Sequence, residues 1–189
     1  MKIATEGHRN IVVNILTKAF DQNKSFNSII IQDHKRVERI KKVFDYYFTL
    51  NLKYGRILLS DDEKACAVIS FPDQKRTTIK TIFLDVKLLF LLGIKSVKKG
   101  FSREAVISKT HPRTNFYYLL FIGVEPRNQG QGKGSELLKD LINDSEKMGR
   151  PIYLETYLDK NVDLYKKNGF NIFKTLQFDF PVYCMKREN

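Results

Sequence analysis

The chain has 189 residues, of which 42% are hydrophobic and 12% aromatic, and its formal net charge is +12. This length suits one domain with a full hydrophobic core. The first residues lack the continuous apolar core of a signal peptide, and the most apolar run, 82–94, is too short and too charged to span a bilayer. The two cysteines, Cys66 and Cys184, give no disulfide framework, so we expect free thiols and a cytoplasmic protein outside the membrane.

The positive charge has three explanations, which are attraction of an anionic ligand, general solubility and binding of nucleic acid. Basic residues are spread along the chain and no nucleic-acid-binding motif is present, so nucleic acid is disfavoured as a partner. The three histidines, His8, His34 and His111, have no metal-ligand spacing, so we expect no metal site.

The first third of the chain predicts a strand, two helices and a hairpin. Residues 2–5 are compatible with a short strand, and apolar residues at helical spacing over 11–20 predict the first helix. A second amphipathic helix is predicted from about Lys35. Two apolar runs, Arg56–Ser60 and Ala65–Phe71, flank an acidic turn and predict a β-hairpin.

Residues 77–109 predict an inserted helical segment ahead of the central strand. The apolar run Ile79–Ile94 has the spacing and the length of a helix, and a basic stretch follows it. Two roles remain open for this segment: it lines a substrate site, or it covers the sheet.

The centre of the chain predicts a strand, a glycine loop and a helix in succession. Nine apolar residues, Phe116–Val124, predict a buried strand, and apolar residues at helical spacing over 137–148 predict a helix. Between them, Gly130, Gly132 and Gly134 allow the backbone N–H groups to face a phosphate at the positive end of the helix. The spacing fits neither the Walker pattern nor the dinucleotide fingerprint.

The C-terminal part predicts a strand, a short helix and two further strands. The strand is predicted over Ile152–Leu158 and the helix over Val162–Asn168, with Gly169 placed where a left-handed residue ends a helix. The last two strands are predicted over Phe170–Thr175 and Val182–Lys186.

Four segments in this order resemble the GNAT family of N-acetyltransferases. Gln129–Gly134 resembles the family's coenzyme A loop, Q/R-x-x-G-x-G/A, and Val124–Pro126 matches the V-x-P that precedes it. Downstream, Tyr153–Thr156 resembles the next strand, and N-x-x-x-Y-x-x-x-G-F over Asn161–Phe170 resembles the closing motif. The Y-L-E-T strand is most similar to the small-molecule branch that includes puromycin acetyltransferase.

The resemblance implies one GNAT domain over residues 1–189, with the helical insertion at 77–109. Its fold class would be mixed α/β, with a mostly antiparallel mixed sheet of about six or seven strands flanked by helices. The implied activity is transfer of the acetyl group of acetyl-CoA, a co-substrate, to a primary amine of a small molecule. The transfer would be direct, in a ternary complex without an acyl-enzyme, since neither cysteine lies in the motif region.

The resemblance also assigns the cofactor-binding residues. The loop backbone would bind the pyrophosphate through Gln129, Gly130, Gln131, Gly132, Lys133, Gly134 and Ser135. The pantetheine arm would lie along Ile122, Gly123 and Val124, where Gly123 suits a bulge or a close approach of the ligand and the Val124 N–H suits an oxyanion donor. Asn161 would hydrogen-bond the cofactor, or it would cap a helix. An ordinary glycine-rich connection is the alternative to the whole loop assignment.

Tyr165 is the proposed general acid, because a phenol near the sulfur can protonate the departing thiolate. The alternative is an aromatic ring that only packs beside Val162. Glu155 is the candidate base, acting directly or through water; it could instead hold the acceptor's cation or be a solvated strand carboxylate.

His111 is a second candidate base. Some relatives in this branch carry a histidine two residues before a tyrosine, where this chain has Phe116 before Tyr118. That difference counts against a histidine-based mechanism.

Two other functions fit the same residues. The first is a non-catalytic module of this fold that binds acyl-CoA, and the second is acetylation of a protein or peptide amine. A basic nucleic-acid-binding domain would leave the glycine loop without a purpose. The acceptor, the length of the acyl chain and homodimer formation are not determined by the sequence.

Overall fold

A computed structural model describes residues 1–188, apart from the side chains of Lys80 and Lys95. The strands are β1 (Lys2–Ile3), β2 (Gly55–Leu59), β3 (Ala65–Ser70), β4 (Tyr117–Val124), β5 (Ile152–Thr156), β6 (Asn171–Gln177) and β7 (Pro181–Arg187). The helices are α1 (Arg9–Ala19), α2 (Lys24–Asn27), α3 (Arg36–Tyr54), α4 (Ile79–Leu92), α5 (Ile94–Ser108), α6 (Lys133–Lys147) and α7 (Asp159–Lys167).

All seven strands form one mixed sheet in the order β1-β2-β3-β4-β5-β7-β6. Every neighbouring pair is antiparallel except β4 and β5, which are parallel. The predicted mixed α/β fold with a mostly antiparallel sheet is therefore confirmed.

Two hydrophobic cores lie on opposite faces of the sheet, because successive side chains of a strand point to opposite faces. Helices α1 to α5 contribute to one core, and α6 and α7 contribute to the other. Strand β4 contributes to both: Leu120 and Phe121 pack toward α1 and α3, whereas Tyr117 and Leu119 pack toward α6. The central strand is thus covered on both faces, which explains its unbroken apolar sequence.

The segment 77–109 holds two helices where the sequence predicted one. Thr78 caps α4 through its side chain, and Gly93, with φ of 76°, separates α4 from α5. A left-handed residue cannot continue a right-handed helix, so the chain turns at this glycine. The turn allows α5 to pack back over the sheet, where Val97 joins the core.

The short helix α2 was not predicted. Its N-terminal residue is capped by Asn23, whose side chain accepts a hydrogen bond from the Phe26 N–H, and Phe26 is buried. Four residues are too few for a helical period to be visible in the sequence.

No helix within residues 1–188 combines the length and the apolar character that crossing a bilayer requires. Over the same residues, no group of three or more His, Cys, Asp or Glu side chains is arranged to hold a metal ion.

We expect the protein to lose stability at alkaline pH through its desolvated tyrosines. Desolvation raises the pKa of six tyrosines above the ordinary value of 10.0, namely Tyr46, Tyr47, Tyr117, Tyr118, Tyr153 and Tyr165. A pKa raised in the folded state means that the stabilisation is complete below pH 10.0 and is lost as the pH rises above it. Thermal unfolding and phenolate absorbance measured together should show these tyrosines ionising only as the chain unfolds. Their ionisation near pH 10.0 in a folded chain would contradict this expectation.

Candidate active site

Strands β4 and β5 pair over only two positions and then separate. Tyr117 pairs with Ile152 and Tyr118 pairs with Tyr153, after which no further pairing joins the two strands. The gap, here called the inter-strand slot, has a volume of about 190 Å³. Its walls are residues 119–122 of β4, residues 154–158 at the end of β5, Asn161 and Tyr165 of α7, and four residues that run from the end of α1 into α2, namely Phe20, Asn23, Ser25 and Phe26.

The separation coincides with a bulge in β4. The β3–β4 register shifts by one residue between Val68 and Ile69, which leaves Leu120 as the extra residue of β4. A bulge bends its strand and increases the local twist, so it turns the end of β4 away from β5. The sequence placed this irregularity at Gly123 instead.

Gly123 serves the packing of a helix. A Cβ at this position would lie 3.1 Å from Leu16 Cδ2 and 3.2 Å from Ala19 Cβ, so the glycine lets α1 approach β4 closely. The predicted close approach is therefore real, but the approaching group is α1. Of the three predicted pantetheine contacts, Ile122 is the one that lines the slot, and Val124 packs near Gly134.

The Val124 N–H nevertheless points toward the slot. The next residue, Glu125, donates its N–H to the Lys64 carbonyl on the β3 side. Because N–H groups alternate in direction along an antiparallel strand, the N–H groups of Val124 and Ile122 point to the side from which β5 has separated. Both donors are thus available to a molecule lying in the slot.

The glycine loop ends at the N-terminus of α6. Gly130 has φ of 76° and Gly132 has φ of 80°, a left-handed conformation that other residues rarely adopt. A Cβ on either would meet nothing within 4 Å, so both glycines border open space. Gly134 differs, because it lies in the first turn of α6 and a Cβ there would be 3.4 Å from Val124 Cγ2.

Three backbone N–H groups of α6 lack a hydrogen-bond partner within the described chain. Gly132 is the N-cap and provides no side-chain cap, and the first bond within the helix joins the Glu136 N–H to the Gly132 carbonyl. The N–H groups of Lys133, Gly134 and Ser135 therefore face outward with the positive end of the helix dipole. This arrangement can bind an anion such as a pyrophosphate.

The side chains of the loop are used mainly to hold its shape. Gln129 donates to the Val124 carbonyl at 3.2 Å, and Gln131 donates to the Arg127 carbonyl at 3.3 Å. Lys133 forms an ion pair with Asp62 of the β2–β3 turn and lowers the pKa of that carboxyl to about 2. The loop would therefore bind its ligand through backbone N–H groups more than through these side chains.

Glu155 is the centre of a hydrogen-bonded cluster that includes both candidate bases. One carboxylate oxygen is 2.9 Å from His111 Nε2, and the other accepts a hydrogen bond of 2.6 Å from the Tyr118 hydroxyl. The side chains of His111 and Glu155 are only 9% and 11% exposed, so water screens this contact weakly. Burial, followed by the Glu155 carboxylate, raises the pKa of Tyr118, so its hydroxyl stays protonated and donates.

The role of Tyr118 was missed by the sequence analysis. Tyr118 and Glu155 lie on neighbouring parallel strands, and both alternate to the face opposite Leu119 and Leu154. Strand alternation carried through both strands would have placed the two side chains on one face, although it could not have shown that they touch.

A second cavity lies beside the slot and shares part of its wall. This side cavity has a volume of about 240 Å³ and is lined by residues of α2, α3, α4, α5, β4 and β5. Five residues line both the slot and the side cavity, namely Ser25, Phe26, Leu120, Phe121 and Glu155. The Glu155 carboxylate therefore lies at the junction of the two spaces, and the helical segment α4–α5 lines the side cavity.

Tyr165 lies in the slot with an unpaired hydroxyl. Its side chain is 5% exposed, and its ring centroid is 5.4 Å from that of Phe170. Within the described residues, its hydroxyl forms no hydrogen bond. Burial raises the pKa of Tyr165 above its ordinary value, so the phenol keeps its proton at neutral pH.

Asn161 lines the slot and does not cap its helix. The N-cap of α7 is Leu158, which places Asn161 in the third helical position, and no side-chain cap is present. The capping alternative is therefore wrong, and Asn161 is left as a residue that lines the slot.

Both cysteines are free and buried. Burial raises the pKa of the Cys66 thiol and raises that of Cys184 to about 11, so neither is a thiolate near neutral pH.

The fold and the site together define an acetyltransferase architecture, with a split between parallel strands next to a loop at a helix N-terminus. The model of the acetyltransferase (GNAT) family matches residues 38–170. The chain belongs to this family.

Solved structures share the fold at low sequence identity. A structure described as histone acetyltransferase HPA2 and related acetyltransferase, from Corynebacterium glutamicum, has a TM-score of 0.77 and 19% identity, over 99% of this chain and 94% of that chain. Arylalkylamine N-acetyltransferase 2 from Aedes aegypti has a TM-score of 0.69 and 13% identity, over 99% of this chain and 97% of that chain. The ribosomal-protein-S18-alanine N-acetyltransferase of Escherichia coli has a TM-score of 0.50 and 17% identity, over 98% of this chain and 90% of that chain.

Proposed function

We propose that the protein transfers the acetyl group of acetyl-CoA to a primary amine of a small molecule, by direct attack in a ternary complex. The observation that carries this proposal is the position of Glu155 at the junction of the slot and the side cavity. A carboxylate there can reach an amine in the side cavity and a thioester in the slot at once, which supports transfer without a covalent enzyme intermediate.

The residues present fit acetyl-CoA. The outward N–H groups of Lys133, Gly134 and Ser135 suit its pyrophosphate, and the slot beyond Ile122 suits the pantetheine arm. When bound, acetyl-CoA would supply the acetyl group as a thioester. Arg127, which is exposed and forms no ion pair with any described residue, adds a cation beside the loop.

Three groups of the chain would then share the chemistry. Glu155 would take a proton from the acceptor's ammonium, directly or through water, which leaves a neutral amine to attack the carbonyl carbon. The Val124 N–H would stabilise the negative charge developing on the carbonyl oxygen. As the new C–N bond forms and the C–S bond breaks, Tyr165 would donate its proton to the departing thiolate. After transfer, Glu155 releases its proton to solvent and the Tyr165 phenolate takes one up from solvent. Both side chains then return to their starting protonation states.

Replacing Tyr165 by phenylalanine tests this proposal. We expect kcat to fall by about 10²-fold, the low end for loss of a general acid, because a thiolate is a tolerable leaving group. The Kd for acetyl-CoA from calorimetry should change by less than about twofold, since the hydroxyl has no partner within the described chain. Kinetics of thiol release with an amine acceptor give kcat.

A wild-type protein that binds acetyl-CoA and releases no thiol with any amine would be a non-catalytic binding module. An unchanged kcat in the variant would instead leave Tyr165 as a packing residue. Membership of the small-molecule branch that includes puromycin acetyltransferase, a cytoplasmic location, a single domain and homodimer formation remain predictions.

A further inference from the structure

The side cavity differs in charge from the chain as a whole. The protein carries a net charge of +12, yet the charged residues lining this cavity are two carboxylates and one guanidinium, Glu104, Glu155 and Arg103. A cationic acceptor repelled by the surface at long range would therefore meet negative charge inside.

The single guanidinium of the cavity is held by aromatic rings from another element. Arg103 Cζ lies 4.7 Å from the ring centroid of Phe178 and 5.0 Å from that of Phe180, both in the β6–β7 turn. The same turn is held against β5, because the rings of Phe180 and Tyr157 are 4.9 Å apart. Burial lowers the pKa of Arg103, and the two rings together with the nearby Asp179 carboxylate stabilise its cation.

Glu104 has no ion-pair partner within the described residues. Its negative charge contributes to raising the pKa of both Tyr47 and Tyr118, which places it electrostatically within reach of the cavity wall. Glu104 is exposed and lines the cavity beside aromatic rings, so its carboxylate is a suitable counter-charge for one ammonium group.

The rest of the wall is mainly apolar, with Ser25 and Ser96 as its neutral polar side chains. Aromatic residues line the cavity from several elements, and aliphatic residues and Gly100 complete it; the aromatic residues are Phe26, Tyr47, Phe101, Tyr118 and Phe121. An apolar protein cavity of about 150 Å³ is large enough to bind benzene. A volume of about 240 Å³ therefore accommodates a phenyl-sized body with a short alkyl chain.

We propose that the acceptor is a primary amine with one cationic group on an apolar body of about phenyl size. The body would lie among the aromatic residues that α2, α3, α5 and β4 contribute to the wall, and the ammonium would face the carboxylates of Glu155 and Glu104. This inference rests on the proposed function, and it names the acceptor class of the same site.

The wall composition excludes two other kinds of amine. A polyamine such as spermidine carries more cations than Glu155 and Glu104 can neutralise, so a further cation would lie against apolar walls, where burying an unpaired charge is costly. An amine that also carries a carboxylate would bring a negative charge against Glu104 and Glu155, while Arg103 is held by Phe178 and Phe180.

The acceptor class is tested by three probe amines assayed by thiol release at saturating acetyl-CoA. 2-Phenylethylamine and phenylalanine form a matched pair that differs only in the carboxylate, and spermidine is the polyamine. We expect kcat/KM for 2-phenylethylamine to exceed both others by about 10²-fold or more. A preference for spermidine or phenylalanine would overturn the inference while leaving the proposed function intact.

Glu104→Gln tests the counter-charge. We expect KM for 2-phenylethylamine to rise about five- to tenfold with little change in kcat, and the discrimination against phenylalanine to relax. Glu38→Gln is the matched control, because Glu38 pairs with Lys42 on the surface of α3 and does not line the cavity. Equal responses of the two variants would contradict the role of Glu104. Absence of thiol release with every amine would instead reject the proposed function itself.

Discussion

Replacing Glu155 by glutamine is expected to lower kcat by about 10²- to 10³-fold while changing the Kd for acetyl-CoA by less than about twofold. The amide has nearly the same shape as the carboxylate and can still accept the hydrogen bond from Tyr118. It cannot take the proton from the acceptor's ammonium, which must be lost before the amine can attack. If the carboxylate takes that proton, the variant should therefore slow the chemical step and leave acetyl-CoA binding unchanged.

The same experiment separates the two candidate bases, because His111 Nε2 and the Glu155 carboxylate are 2.9 Å apart. If Glu155 takes the proton, His111→Gln should cost only about tenfold or less, through loss of orientation of the carboxylate. If the histidine takes it, His111→Gln should be the more damaging variant. Measuring kcat and the acetyl-CoA Kd for both variants decides between them.

A matched control removes a carboxylate elsewhere on the chain. Glu146 lies on α6, where it pairs with Arg187 on the surface, and it lines neither the slot nor the side cavity. Glu146→Gln should leave kcat within about twofold of the native value. Glu155 would be a structural or solvated carboxylate if its glutamine variant behaved in the same way.

The local features of the site were predictable from the sequence because they depend on short-range chemistry. An apolar run of nine residues specified β4, and the glycines after it specified the turn into α6. Two of those glycines, Gly130 and Gly132, have the left-handed backbone that requires glycine. Alternation along β5 also placed Glu155 on the face opposite Ile152 and Leu154, which pack in the α6 core.

The cluster around Glu155 could not be predicted because it joins distant parts of the chain. His111 and Tyr118 contact Glu155 across separations of 44 and 37 residues, and only the parallel pairing of β4 with β5 brings them together. The role of Gly123 in the packing of α1 could not be predicted for the same reason. A glycine in a strand signals a close approach, yet the sequence does not say whether a ligand or a helix approaches.

The segment 77–109 shows why periodicity alone did not decide between its two roles. Helix α4 is apolar on both faces, with Leu92 buried while Ile79 and Phe90 are 89% and 84% exposed. A helix of this kind has no single apolar stripe from which its orientation could be read. The position of Gly93 then turns α5 back over the sheet, and this packing forms a wall of the side cavity.

Gly132→Glu is expected to raise the Kd for acetyl-CoA by about 10²-fold or more, as measured by calorimetry. The new side chain would enter the open space beside the first turn of α6, since a Cβ at this position meets nothing within 4 Å. Its carboxylate would lie near the N–H groups and the positive helix end that the pyrophosphate would use. Charge repulsion and competition for the same donors both oppose binding.

Gly149→Glu is the control for backbone strain. Gly149 follows the C-terminal end of α6 with φ of 61°, and a Cβ there also meets nothing within 4 Å. Each variant places a non-glycine residue in the left-handed region at about 1–2 kcal/mol, which corresponds to a fall in Tm of about 2–8 °C.

The helix dipole makes Gly149→Glu a stringent control for loss of stability. A carboxylate is favourable near the N-terminus of a helix and unfavourable near the C-terminus, so Gly149→Glu should be the less stable of the two variants. If acetyl-CoA binding were lost through instability alone, Gly149→Glu would lose it first. We expect it to keep a Kd within about twofold of the native value. Equal weakening of both variants, or of neither, would contradict the assignment of the pyrophosphate to this loop.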